Sequence, residues 1–354
     1  MSPLRLLTLP GDGIGPEITE ATVRILHAAA PLLSRELSIS RAEIGFPALK
    51  AEGTTIPEAV TAAAQKADGV ILGPVSHNAY PPVAEGGLNP SGVLRKALEL
   101  YANIRPARSY DGLPPPTGQA FDLIVARENL EGFYADRNMA QGGGEFMPEP
   151  GVALAMRKIT EAGSRRIAEA AFKVAQGRTK KHVTAIHKAN VMRMSDGLFL
   201  DVARDVARGF PDVDYDELLV DAAAAHLVRH PQKFDVLLCT NMFGDILSDL
   251  ASELSGGLGL AGSLNLGAVH AVAQAQHGSA PDIAGQDRAN PTSLILSSAM
   301  LLRHLGETRA ATAIEAAVTR AIAAEKTRTS DLGGALGTQA YTDILCCYLE
   351  ESKP

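Results

Sequence analysis

An α/β protein of two domains with mostly parallel sheets is the fold this sequence predicts, and three observations carry the prediction. Short apolar runs alternate with longer segments of helical period, the pattern of strands covered by helices. At 354 residues the chain can fill two moderate cores, so two lobes are expected. The apolar run Phe234-Asp-Val-Leu-Leu-Cys-Thr240 leads straight into a carboxylate-bearing segment, and a strand ending at such a helix is ordinary site architecture in this class.

The predicted strands are Leu4-Arg-Leu-Leu-Thr-Leu9, Gly69-Val-Ile-Leu72, Leu123-Ile-Val125, Val183-Thr-Ala-Ile186 and Val236-Leu-Leu238, each a short apolar run. Helices are predicted over 16–30, where Pro16 occupies the first turn, and over 93–101, 160–175 and 198–207. Gly112-Leu-Pro-Pro-Pro-Thr117 reads as a surface turn, and residues 140–150, with three consecutive glycines and two prolines, read as an irregular excursion or arm. There is no short-period repeat, so solenoid architectures drop out.

Composition narrows the function. A hydrophobic content of 46% with 21% charged residues is that of a globular protein, and a net charge of −7 argues against a nucleic-acid partner. No run of about 18 apolar residues occurs, and the first strand begins without a signal-peptide pattern, so a cytoplasmic protein is expected. The three cysteines, Cys239, Cys346 and Cys347, form neither a disulfide framework nor a zinc-ligand spacing.

Asn241-Met-Phe-Gly-Asp245-Ile-Leu-Ser-Asp249 places two carboxylates four apart, on one face of a helix. Like charges at that spacing repel, so the pair is either a solvated acidic face or a hard-oxygen site for Mg²⁺ or Mn²⁺; the flanking strand and Ser255-Gly-Gly-Leu-Gly-Leu260 favour the cation. Asp221, closing Leu218-Leu-Val220, is a third candidate ligand. Gly11-Asp-Gly-Ile-Gly-Pro-Glu17 links the first strand to the first helix as a cofactor loop or a plain turn, with Asp12 suited to a sugar or nicotinamide contact. Arg95, Arg105 and Arg127 stand at the edges of apolar runs, either as surface arginines with buried stems or as bidentate clamps for a di- or tricarboxylic acid. Tyr134 and Lys188 are suitable proton-transfer groups, and the loop from His277 to Gly285 with Asn290 suits an adenosine moiety.

Together these motifs resemble the β-decarboxylating dehydrogenases: the isocitrate, homoisocitrate, 3-isopropylmalate and tartrate/D-malate dehydrogenases. The resemblance runs from Gly11 to Thr327-Arg-Thr-Ser-Asp-Leu-Gly-Gly334. It implies the isocitrate/isopropylmalate dehydrogenase-like fold. Residues 1–98 plus 255–354 would form a discontinuous nucleotide-binding domain, and 99–254 a substrate, metal and dimerisation domain with an arm near 138–152. A homodimer or higher homo-oligomer follows.

By position, Asn89, Ser91, Arg95, Arg105 and Arg127 resemble the family's substrate residues, and Tyr134 its catalytic tyrosine. Lys188 resembles a general base given by the neighbouring subunit. Asp245 and Asp249 resemble metal ligands of one subunit, joined by Asp221 of the other. Ile14, Asn190, His277, Gly278, Ser279, Ala280, Asp282, Ile283 and Asn290 fall at cofactor positions. Asp282 and Ile283 stand where NADP-using relatives carry Lys and Tyr; an acidic side chain there accepts from ribose hydroxyls and repels a 2′-phosphate, so NAD is expected.

Asn89 and Ser91 are polar where isopropylmalate enzymes are acidic and then apolar, which favours isocitrate or homoisocitrate over 3-isopropylmalate, tartrate or D-malate. Three departures from the family pattern stand out: Gln274 replaces a glutamate, Gly262 a common proline, and the loop Gly73-Pro-Val-Ser-His-Asn-Ala-Tyr-Pro81 is unusual. The competing readings are an acyl- or phosphoryl-transfer enzyme, which leaves Lys188, Tyr134, Asp245 and Asp249 without a task, and a non-catalytic regulatory subunit, which would be expected to lose some of them.

Overall fold

A run whose only charged member is Arg5 has to be covered on both faces, and Leu4–Leu9 becomes strand β1, buried at every position except that arginine. The computed structural model describes residues 2–134, 139 and 142–352. It divides into two units: Met1–Leu98 with Tyr110–Pro114 and Gly256–Pro354, and Glu99–Ser109 with Pro115–Ser255.

In the first unit β1 is followed by helix α1 (Gly15–Ala29), with Pro16 at its first turn and Ile18, Thr22, Ile25, Leu26 and Ala29 buried along one stripe. Strand β2 (Leu37–Arg41), helices α2 (Phe46–Glu52) and α3 (Glu58–Lys66), strand β3 (Gly69–Leu72) and helix α4 (Pro90–Ala97) complete its first segment. Helix α4 departs from the expected 93–101. Asn89 accepts from the N–H of Gly92 and Pro90 takes the first turn, so the helix starts early; it stops before Glu99, whose φ of 48° breaks the repeat.

The second unit opens with β4 (Ala102–Arg108), antiparallel to β5 (Asp122–Glu128). Strands β6 (Glu145–Glu149) and β7 (Val152–Ala155) form an antiparallel hairpin turning at Gly151, so the expected excursion becomes regular structure from Glu145 onward. Both strands are exposed; Phe146 pairs with Leu154, an apolar cross-strand pair that the surrounding prolines and glycines had masked. Residues 138, 140 and 141 of the expected arm lie outside the described residues. Then come α5 (Glu161–Gln176), β8 (His182–His187), α6 (Ser195–Ala207), β9 (Asp214–Leu219), α7 (Val220–Arg229), β10 (Val236–Cys239) and α8 (Asn241–Leu254). The strand order is β4-β5-β10-β8-β9, parallel from β5 onward. Leu123, Val125, Leu237, Cys239, Leu247 and Ala251 join β5, β10 and α8 into one core.

The chain then returns to the first unit with β11 (Leu264–Leu266), β12 (Ala271–Gln274), α9 (Thr292–His304), α10 (Thr308–Ala323) and α11 (Thr338–Glu351). Its strand order is β2-β1-β3-β12-β11, parallel except for β11 against β12. Leu4, Leu6, Ile18, Ile25, Ile71, Leu294, Leu301 and Tyr341 are essentially inaccessible, and each aliphatic one contributes roughly 1.5–3 kcal/mol by burial. Among the described residues no helix is long and apolar enough to cross a membrane.

Candidate functional site

In the second unit the site grows from a close approach of α8 to β5. A Cβ on Gly244 would lie 2.7 Å from side-chain atoms of Arg127, so only glycine lets the helix lie this near the strand. That approach brings Asp245, one residue on, against the Arg127 guanidinium in an ion pair. Arg105, on β4, reaches the same helix: its Nη1 donates to Ser248 Oγ at 2.7 Å and lies 3.4 Å from Asp245 Oδ1 and 3.3 Å from Asp249 Oδ1.

Both arginines are deeply placed, with 9% and 3% of the Arg105 and Arg127 side chains accessible, whereas those of Asp245 and Asp249 keep 35% and 55%. Burial and the neighbouring Arg127 lower the Arg105 pKa to about 10, still far above neutrality. Arg105 is therefore a mid-strand group charged at physiological pH, not one at the edge of an apolar run. Tyr134 donates its hydroxyl to Asp245 Oδ2 at 3.1 Å, and its ring lies 5.6 Å from Arg127 Cζ. Arg105, Arg127, Tyr134, Asp245 and Asp249 thus come together within one unit.

Lys188 and Asp221 form a separate pair. Lys188 Nζ donates to Asp221 Oδ1 at 2.6 Å, and this hydrogen bond lowers the Asp221 pKa. The Lys188 N–H donates to Asp196 at 2.5 Å, and Asp196, wholly buried, is ion-paired with Arg157. Arg157 Nη2 also donates to Thr240 Oγ1 at 3.0 Å, just before α8 begins. The sequence reading missed Arg157 and Asp196, since nothing local pairs Asp196 with an arginine 39 residues away.

Among the described residues no three His, Cys, Asp or Glu gather as a metal-binding group. The donor set nevertheless suits a divalent cation. Asp245 and Asp249 offer hard, accessible oxygens on one helix face, and Arg105 and Arg127 balance their charge, so a dication entering with an anionic acid adds little net charge to the cluster.

In the first unit the turn after β1 is tied to a later loop. Gly13 has φ 57°, and a Cβ there would lie 1.9 Å from Ser279 O, which accepts from the N–H of Ile14 at 2.8 Å. Ser279 Oγ is 2.7 Å from Ser76 Oγ. Asp12, read from the sequence as suited to a sugar or nicotinamide contact, is buried, accepting from the N–H groups of Phe46 at 2.8 Å and Ser76 at 2.9 Å and from the Tyr80 hydroxyl. Burial and Asp12 together raise the Tyr80 pKa, so the phenol stays protonated. The unusual 73–81 loop is therefore clasped to the glycine turn through Tyr80, which the sequence reading did not single out.

His277 Nδ1 donates to the carbonyl of Gly278 at 2.9 Å, and burial lowers the ring's pKa, keeping it neutral. Asn290 accepts from the N–H of Thr292 at 3.0 Å and donates to Asp331 at 2.9 Å. Ala280 adopts φ 36°, Ile283 is half-buried and Asp282 is exposed, while Gly278 has open space where a Cβ would be. Asn89 spends its side-chain oxygen on the α4 cap, leaving its NH₂ as donor, and Arg95 is half-buried on the same helix. Ser91 donates to Gln274 Oε1 at 3.2 Å, which also accepts from Asn265 at 3.3 Å. Asn190 follows β8 in the second unit and is exposed.

Comparison with known proteins bears on this arrangement. The model of the isocitrate/isopropylmalate dehydrogenase family matches residues 5–345. The mitochondrial NAD isocitrate dehydrogenase subunit alpha of Homo sapiens is 41% identical over 342 residues, covering 96% of this chain and 88% of that protein. The 3-isopropylmalate dehydrogenase of Methanothermobacter thermautotrophicus is 39% identical over 351 residues, covering 99% of this chain and all of that protein. The crystal structure of isocitrate dehydrogenase from Methylococcus capsulatus superposes with a TM-score of 0.88 at 37% identity over 99% of both chains. With a match of this extent, the chain belongs to the isocitrate/isopropylmalate dehydrogenase family.

Proposed function

We propose that the protein oxidises and decarboxylates a 3-substituted malate, isocitrate or homoisocitrate by preference, using NAD and Mg²⁺ or Mn²⁺ to yield a 2-oxo acid, CO₂ and NADH. The convergence of Arg105, Arg127 and Tyr134 on Asp245 carries this reading, because it joins carboxylate clamps, a proton donor and hard-oxygen ligands in one place. Arg105 and Arg127, with Arg95, hold the substrate carboxylates. Lys188 would take the 2-hydroxyl proton, and NAD when bound would accept the hydride from C2. The C3–carboxylate bond then breaks with loss of CO₂, its electron pair remaining in an enolate, and Tyr134 delivers the proton that forms the new C3–H bond as the C2 carbonyl returns. Asp245 and Asp249, with Asp221 of a second copy, hold the cation, which supplies Lewis acidity at the substrate hydroxyl oxygen when bound.

The Lys188–Asp221 pair is the part that a second copy would contribute, hence a homodimer or larger assembly, with the second unit and its hairpin as the contact. The first unit carries the cofactor loops, Ile14, His277 to Ala280, Asp282, Ile283 and Asn290, and Asn190 in the second unit is a further cofactor residue by its family position. The relative named for NAD and the exposed Asp282 support NAD as cofactor.

Polar Asn89 and Ser91 support a substrate with a polar distal group. The similarly extensive match to a 3-isopropylmalate dehydrogenase, over 351 residues, favours that acid as the second reading. The test is NADH formation with Mn²⁺ and NAD on isocitrate, homoisocitrate, 3-isopropylmalate, D-malate and tartrate. A tricarboxylate should win; preference for 3-isopropylmalate would reverse the reading of Asn89 and Ser91, and silence on all five would leave a regulatory subunit.

A further inference from the structure

Asn241 has no role in the chemistry above, yet it is completely buried and uses both ends of its amide. Its Oδ1 accepts from Arg127 Nε at 3.1 Å and Nη2 at 2.7 Å, and its Nδ2 donates to the carbonyl of Glu131 at 3.0 Å. Only this orientation of the amide satisfies all three bonds, since a guanidinium has donors alone and a carbonyl only accepts. One side chain therefore joins the strand bearing Arg127, the segment leading to Tyr134, and the first turn of the helix bearing Asp245 and Asp249.

We propose that Asn241 is a positioning residue for substrate binding, an inference that rests on the dehydrogenase reading. Two of the five guanidinium N–H groups are held by Asn241, which fixes the plane of Arg127 and turns Nη1 toward Asp245, where a substrate carboxylate would be taken up. A neutral amide suits this place for two reasons. It holds Arg127 without cancelling the charge that attracts the substrate, and it supplies the proton that the Glu131 carbonyl requires. An aspartate would neutralise Arg127 and set an oxygen against that carbonyl.

The experiment compares Asn241→Asp, Asn241→Ala, Arg127→Lys and the double variant Arg127→Lys/Asn241→Asp, using whichever of the five acids the wild type oxidises, with Mn²⁺ and NAD. Asn241→Asp should raise KM for the acid about tenfold or more while KM for NAD stays within about twofold. The double variant should be within about twofold of the worse single one, because both lesions act on one guanidinium. Equal changes in the two KM values, or effects of Arg127→Lys and Asn241→Asp that multiply, would overturn the role. Circular dichroism verifies folding; if the alanine variant does not fold, the isosteric aspartate and the cycle still decide. A wild type silent on all five acids overturns the dehydrogenase reading and this proposal with it, whereas an active wild type with unaffected Asn241 variants overturns the proposal alone.

Discussion

Tyr134 and Asp245 are joined by a hydrogen bond of 3.1 Å from the phenol to Oδ2, while Oδ1 of the same carboxylate takes the Arg127 guanidinium. Asp245 is thus the common partner of the proposed proton donor and of a proposed substrate clamp. Asp249, 3.3 Å from Arg105, sits one helical turn further on.

Asp245→Asn removes a full charge from this cluster and one anionic ligand from the proposed cation site. The Mn²⁺ concentration for half-maximal activity should rise about tenfold or more, with residual turnover restored only at high Mn²⁺. An unchanged Mn²⁺ titration would remove Asp245 from the metal site.

Lys188→Ala should lower turnover by about 10²–10⁴-fold, the usual worth of a positioned general base, while calorimetry shows NAD binding intact. If Lys188 and Asp221 of one copy complete the Tyr134 site of another, co-assembly of Lys188→Ala with Tyr134→Phe should restore measurable activity through one complete shared site. Full activity in Lys188→Ala alone would sink the assignment.

Asp282→Lys exchanges an exposed carboxylate for an ammonium, which would attract a 2′-phosphate instead of repelling it. The ratio of kcat/KM for NADP to that for NAD should rise. A constant ratio would mean that this loop does not read the ribose.

Glu128 tests the same region through stability. Burial raises its pKa to about 7, although its carboxylate accepts from the N–H groups of Leu130 and Glu131. The folded state therefore holds a proton that the unfolded state releases near pH 4.5, so this group's contribution falls as pH rises from there to about 7, by roughly 3 kcal/mol in all. Thermal melts of Glu128→Gln should lose that part of the pH slope. A slope identical to wild type would show that Glu128 ionises normally.

Much of this was legible in the sequence because it is local. Strands β1 and β3 have the bounds their apolar runs predict, and the α1 stripe follows from 3.6-residue periodicity. The shift of α4 came from a cap competing with periodicity, and the β6–β7 hairpin from an apolar cross-strand pair hidden among turn formers. The burial of Asp12 was not legible, because its partners lie 34 and 64 residues away, beyond any local pattern.

The sequence by itself determined the alternation of strands with helices, the face shared by Asp245 and Asp249, and the family. Only the tertiary structure decided that Arg127 meets Asp245 across 118 residues, that Lys188 pairs with Asp221, and that Asn241 ties Arg127 to the Tyr134 segment. The physical reason is that periodicity and capping act over a few residues. Hydrogen-bond partners across a sheet depend instead on strand register and on how closely a helix approaches, here set by the missing side chain of Gly244.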